Sequence, residues 1–296
     1  MPPAIVVAET NDAPLDLASR SSVDALLRRY RLRPEKRLGQ NFLIDPEALE
    51  RVVAAAEIEP TDVILEVGAG LGTLTQRLAG LAGRVVAVEY DRRLEPVLRE
   101  TVGREPRVEI LIADILRLDL GRLLAHQAFK VVANIPYQIT SHLIRRLLES
   151  ESAPRRLVLT VQREVADRVM AGPGDMNLLA LGVQAYGEPR LMARIPATSF
   201  YPAPRVESAV LRIDVRVPPR MTPERAQAVF RVARAGFAQP RKKLRNSLAA
   251  GLRISPPEVE RRLTEVGISP AARAEHLSLE DWERIAEVWA KASLEA

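Results

Sequence analysis

The sequence predicts an α/β protein: a seven-stranded, mostly parallel sheet followed by a small all-α domain. Three observations carry that expectation. Short apolar runs recur with helical patterns between them, as in βα units whose strands are buried on both faces. The first run, Val63-Ile64-Leu65-Glu66-Val67, ends at Gly68, Gly70 and Gly72, and a helical pattern follows from Leu74. After Val217-Pro218-Pro219 every pattern is helical.

Bulk composition sets the limits. A chain of 296 residues suggests one large or two modest domains, and 47% hydrophobic with 27% charged residues is ample for a core. The net charge of +5 favours an anionic partner. Cysteine is absent, which excludes disulfides and thiolate metal sites. The histidines, His126, His142 and His276, are too scattered to suggest a metal centre, so none is expected. No apolar run approaches a membrane span, and no basic region precedes an apolar stretch at the N-terminus. A cytoplasmic, monomeric protein is expected.

In chain order, residues 1–21 mix Pro, Ala, Asp, Asn and Ser without periodicity and predict a disordered tail. Residues 22–217 form the sheet domain. Ser22–Tyr30 reads as a short capped helix, and Arg33–Asp45 as a polar strap holding the out-of-place pair Phe42 and Leu43. Pro46 opens a helix to about Ala56. Further strands are expected at Arg84–Glu89, Val108–Ala113, Lys130–Asn134 and Leu157–Val161. Helices separate them at Arg92–Val102, about Leu118–Gln127, Ser141–Glu149 and Arg163–Met170. Leu191–Ile195 and Ala209–Val215 close the sheet as a hairpin-like edge. Residues 218–296 form the helical domain, with helices at Pro223–Phe237, Lys242–Leu252, Pro256–Val266 and Leu279–Ala292.

The glycine turn admits three readings: an ordinary βα loop, a dinucleotide site, or a site for S-adenosylmethionine. Its Gly-x-Gly-x-Gly spacing is one residue tighter than the dinucleotide fingerprint. Later strand ends narrow the choice. Glu89 closes the second strand, where a carboxylate can accept both ribose hydroxyls. Asp114 follows the third, where it can accept from an adenine amino group. Together they favour an adenosine-containing ligand.

The fourth strand ends in Asn134-Ile135-Pro136-Tyr137. Methylating an exocyclic amino nitrogen is awkward because its lone pair is delocalised into the base. An Asn oxygen and a neighbouring carbonyl can orient that nitrogen and accept its hydrogens. Pro136 fixes the turn, and Tyr137 offers a face on which a flipped base can stack.

On these stretches the chain resembles the ribosomal RNA adenine N6,N6-dimethyltransferases, among them the bacterial small-subunit (16S) enzyme. The shared motifs are Lys36-Arg37-Leu38-Gly39-Gln40-Asn41-Phe42-Leu43, Glu66 to Gly72, Val88-Glu89, Ala113-Asp114, Asn134 to Tyr137, Gln162 to Ala166, Phe200 to Ser208 and Arg241 to Asn246. They run in family order from residue 22 to the end. The resemblance implies a Rossmann-like class I methyltransferase fold, S-adenosylmethionine as donor, and two adjacent adenines in the 3′-terminal hairpin loop of 16S rRNA as acceptors. It implies that Asn41, Leu43, Gly68, Gly70, Glu89, Asp114 and Asn134 bind or frame the donor, with Asn134, Pro136 and Tyr137 catalytic. Phe42, Tyr137 and Phe200 would stack on the target base. Arg241, Lys242, Lys243 and Arg245 would bind RNA, and Arg231, Arg234, Arg145 and Arg146 would extend that surface. Two departures touch only RNA contacts: the run Asn177 to Val183 differs from the family's usual helix, and Pro240 stands where an arginine is common. The runner-up is a large-subunit 23S enzyme of the macrolide-resistance type. Behind it stand an assembly factor with a vestigial site and a dehydrogenase.

Overall fold

The structure, a computed structural model, describes residues 16–292. Its elements in chain order are α1 (Arg20–Arg29), β1 (Phe42–Leu43), α2 (Pro46–Ala56), β2 (Val63–Val67), α3 (Thr73–Ala79), β3 (Arg84–Glu89), α4 (Glu95–Thr101), β4 (Val108–Ile112), α5 (Leu120–Leu123), β5 (Phe129–Asn134), α6 (Thr140–Leu148), β6 (Arg156–Gln162) and α7 (Arg163–Met170). There follow α8 (Leu178–Tyr186), β7 (Gly187–Ile195), β8 (Phe200–Tyr201), β9 (Ser208–Val215), α9 (Pro223–Phe237), α10 (Leu244–Leu252), α11 (Pro256–Glu265) and α12 (Leu279–Ala292).

The main sheet has seven strands in the order β4-β3-β2-β5-β6-β9-β7. Strands β2 to β6 pair in parallel, and β9 is antiparallel to both its neighbours. The chain winds outward from β2 to β4, then returns to lay β5 on the other side of β2. That reversal is a topological switch point, where the loops after two adjacent strands diverge and leave a crevice.

Both faces of the sheet are covered, and alternation along each strand divides the core. Leu65, Val86, Val131 and Leu157 pack with Leu143, Leu147, Ala166 and Val169 of α6 and α7. Ile64, Val85, Val132 and Val158 pack with Leu49, Val52 and Leu78 of α2 and α3. Asp45 caps α2 by accepting from the N–H groups of Glu47 and Ala48, with Pro46 in the first turn.

The helices after residue 218 form their own core around Trp282, and this core extends back to Ala180, Leu181 and Ala185 of α8. The approach of α9 to α12 is close: a Cβ on Gly236 would lie 2.3 Å from the Trp282 ring, so only glycine fits there.

Several expectations need correction. Residues 1–15 lie outside the described residues, but the remainder of the expected tail is packed. Leu17 and Ala18 are buried, and Ser19 caps α1 by accepting from the Ser22 N–H, so the helix starts at Arg20. Leu17 joins Val23, Leu26, Phe42 and Leu94 in one cluster, which ties this segment to the strap. The helix expected near Leu118–Gln127 is only α5, because Ala125 and His126 take positive φ and stop it. The edge strand β7 starts earlier than expected, at Gly187, and tolerates Pro189 as edges do. Helix α8 is apolar apart from Gln184 and lacks the 3.6-residue alternation that marks a surface helix, because its residues are divided between two cores.

Candidate active site

A cavity of about 280 Å³ occupies the switch-point crevice, walled by the ends of β2, β3, β4 and β5 and roofed by the strap. Strand β2 delivers the glycine turn into it. Gly68 and Gly70 hold φ of 79° and 60°, the left-handed region. A Cβ on Gly68 would sit 3.3 Å from the Asn134 carbonyl oxygen, and one on Gly70 would be 3.4 Å from the Phe42 ring. The turn is thus pressed between the β5 loop and the strap, and side chains there would displace one or the other.

Glu89 ends β3 at the cavity wall. Its Oε2 accepts from the Gly70 N–H at 2.8 Å and its Oε1 from the Asp91 N–H at 2.7 Å. Burial pushes this carboxyl above its ordinary pKa, against the pull of those N–H groups. Each oxygen keeps a lone pair for a further donor.

Asp91, which the sequence reading passed over, connects two parts of the wall. Its carboxylate accepts from Gln40 Nε2 at 2.8 Å and from Arg93, whose guanidinium holds it below the usual carboxylate range. Gln40 Oε1 accepts in turn from the Glu35 N–H at 2.8 Å. The strap is therefore latched to the loop that orients Glu89. The available signal was Glu-x-Asp at a strand end, but the Gln40 partnership crosses the fold and leaves no local trace.

Behind the glycine turn lies Glu66, 1% exposed and not part of the cavity wall. Its Oε2 and the Thr75 hydroxyl are both buried, with no hydrogen-bond partner among the described residues. Burial raises its pKa to about 8, opposed by the nearby Thr75 hydroxyl and assisted by the charge of Glu89. Burial, the largest influence on it, therefore favours its protonated form.

Asp114 lines the cavity after β4, and its Oδ1 also accepts from the Leu116 N–H at 2.9 Å. Opposite, Asn134 ends β5 with its Nδ2 donating to the Asn41 carbonyl at 3.0 Å. That bond fixes the amide's orientation and leaves Oδ1 as its acceptor. Asn41 donates its own Nδ2 to the Gly39 carbonyl at 3.0 Å. Pro136 and Tyr137 complete this side, and the Tyr137 hydroxyl is 2.9 Å from Ser208 Oγ on β9. Burial pushes the phenol pKa up, so the hydroxyl stays protonated.

The cavity therefore brings together Asn41, Phe42, Gly68, Gly70, Glu89, Asp114, Asn134, Pro136 and Tyr137. Two expected site residues lie elsewhere. Leu43 and Phe200 face each other across the β1–β8 pair, and both are buried in the core beneath the strap. A two-residue strand pairing across the fold turns them inward, and neither lines the cavity. Leu38, Leu94, Ile115, Leu116 and Ile139, not singled out from sequence, supply apolar surface instead.

The basic stretch before α10 lies outside this cavity. Arg241, Lys242 and Lys243 are exposed and have no acidic partner among the described residues, whereas Arg245 pairs with Glu260 at 2.7 Å. Arg145 pairs with Glu149 at 2.9 Å, and Arg146 donates to the Leu118 carbonyl at 2.6 Å.

The chain is similar to known proteins over most of its length. A family model described as ribosomal RNA adenine dimethylase matches residues 31–291. The chain is 42% identical over 279 residues to the ribosomal RNA small subunit methyltransferase A of Dehalococcoides mccartyi, covering 93% of this chain and 96% of that one. The Moorella thermoacetica protein of the same name is 40% identical over 272 residues, covering 88% and 94%. Among solved structures, the 23S rRNA methyltransferase ErmE superposes with a TM-score of 0.68 at 28% identity, covering 84% of this chain and 99% of that one. A dimethyladenosine transferase from Plasmodium falciparum gives 0.73 at 23% identity, over 85% and 98%, and supports the fold.

Proposed function

The chain belongs to the ribosomal RNA adenine dimethylase family, and from that premise we propose that it dimethylates N6 of two adjacent adenines in the 3′-terminal hairpin loop of 16S rRNA. The donor is S-adenosylmethionine, and the substrate is the small ribosomal subunit or its precursor. The observation that carries this reading is one cavity in which Gly68, Gly70, Glu89 and Asp114 face Asn134, Pro136 and Tyr137.

The residues present fit the donor. Glu89 has a spare acceptor site on each oxygen for the two ribose hydroxyls, and Asp114 can accept from the adenine amino group. Leu94, Ile115 and Leu116 offer apolar surface for the adenine ring. When bound, the donor supplies an electrophilic methyl group on a sulfonium.

This chain's residues then orient the acceptor. Asn134 Oδ1 accepts an amino N–H of the target adenine, with its orientation held by the Asn41 carbonyl. The carbonyls of this turn accept the second hydrogen as the nitrogen becomes tetrahedral. Tyr137 provides a stacking face, positioned through Ser208. The strap with Phe42 closes the cavity from above. Residues 218–296, with Arg241, Lys242 and Lys243, bind RNA backbone, and the protein acts as a monomer in the cytoplasm.

The large-subunit reading has less support, since the curated relatives named for the small subunit reach 42% identity against 28% for ErmE. Labelled methyl transfer to unmethylated small and large subunits tests the choice. Incorporation into small subunits alone is expected, and label confined to large subunits would reverse the assignment.

A further inference from the structure

A second cavity, of about 250 Å³, lies between α6, α8 and α9, where the sheet meets the helical domain. It begins next to the first: Ile139 lines the active-site cavity and Ser141, on the next exposed face of α6, lines this one. Its floor is apolar, with Leu178, Leu179 and Val183 of α8. At one end Tyr186 and Phe230 stack with ring centroids 6.5 Å apart and planes 10° apart, and both rings are only partly buried.

Two guanidiniums stand at the rim. Arg168 and Arg234 are exposed, and neither has an acidic partner among the described residues. On the same rim Arg145, by contrast, is paired with Glu149. Unpaired cations beside a partly open aromatic stack match the two surfaces of a nucleotide, an anionic phosphate and a flat base.

Resting on the function proposed above, we infer that this groove holds an unpaired base of the rRNA outside the methylated pair. The base stacks against the Tyr186–Phe230 end and the adjoining phosphates lie at Arg168 and Arg234. RNA loops and bulges supply such splayed bases, and a site beside the catalytic cavity would fix the register of the RNA over it.

Gly182 permits a clean test. It lines the groove in mid-helix, and a Cβ there meets nothing within 4 Å. Gly182→Leu therefore fills the groove while improving helix propensity. Three measurements on the full chain decide: thermal stability, S-adenosylmethionine affinity, and affinity for protein-free 16S rRNA and for unmethylated small subunits. Expected are unchanged donor binding, undiminished stability and RNA affinity reduced on the order of tenfold, the scale of one stacked base. Arg168→Ala with Arg234→Ala should lower the salt slope of RNA binding by roughly 1 to 2.

Wild-type affinity in Gly182→Leu, with the wild type methylating normally, would overturn the groove assignment alone. A loss on small subunits but not on protein-free 16S rRNA would give the groove to a ribosomal protein and overturn it too. A wild type that neither binds nor methylates 16S rRNA would overturn this inference together with the function.

Discussion

Replacing Glu66 with glutamine should stabilise the protein, and the gain should depend on pH. Glu66 is buried beside Glu89 with one oxygen unpartnered, and its pKa stands at about 8 against the ordinary 4.5. The folded chain thus holds a proton that the unfolded chain releases near 4.5. Stability contributed at this site falls as pH rises from 4.5 to 8 and levels off above. Between pH 4.5 and 7 the difference is 2.5 units at 1.36 kcal/mol each, or about 3 kcal/mol. Glutamine is nearly isosteric and carries no such linkage. Glu66→Gln should match the wild type at pH 4.5 and exceed it by a few kcal/mol at pH 7, read from urea unfolding at several pH values. Equal pH slopes in the two proteins would refute the reasoning, and a less stable glutamine variant at pH 7 would show that the carboxylate is paired.

Other substitutions probe the cavity directly. Glu89→Ala should weaken S-adenosylmethionine binding by roughly 1–3 kcal/mol in calorimetry, because a buried acceptor of two hydroxyls is removed; unchanged affinity in a folded variant removes Glu89 from the site. Tyr137→Phe should keep substantial methyl transfer, since Ser208 only positions the ring, whereas Tyr137→Ala should lose most of it. Equal inactivity of both would assign the hydroxyl a chemical role. Lys242→Glu with Lys243→Glu should weaken rRNA binding and flatten its salt dependence without touching donor affinity, and an unaltered salt slope would return these lysines to an ordinary solvated face.

The parts of the fold legible in the sequence were those set by local pattern. Buried parallel strands announce themselves as continuous apolar runs, and Gly68, Glu89, Asp114 and Asn134 each stand where such a run stops. Strand ends are where α/β sheets place ligands, so position alone brought these residues to one cavity. What stayed hidden depended on distant pairing. Leu43 and Phe200 turn inward because β1 and β8 pair across the fold, and Gln40 meets Asp91 only once the strap lies over β3. Leu17 looked like tail because its cluster joins Val23 and Leu26 of α1 to the distant Phe42, Leu94 and Val97, a grouping that only the fold assembles. Helix α8 carried no alternation because its residues are divided between two cores.

The central claim is that an acceptor-only site, built on Asn134 and its turn, holds an adenine amino group for methylation and lets it turn and react again. Mass spectrometry of 16S rRNA from unmethylated small subunits, after reaction with the protein and S-adenosylmethionine, tests this most directly. The account predicts two methyl groups on N6 of each of two adjacent adenines in the 3′-terminal loop, and almost none with Asn134→Ala although that variant still binds the RNA. Single methylation at completion, methyl groups at another position, or full activity in Asn134→Ala would contradict it.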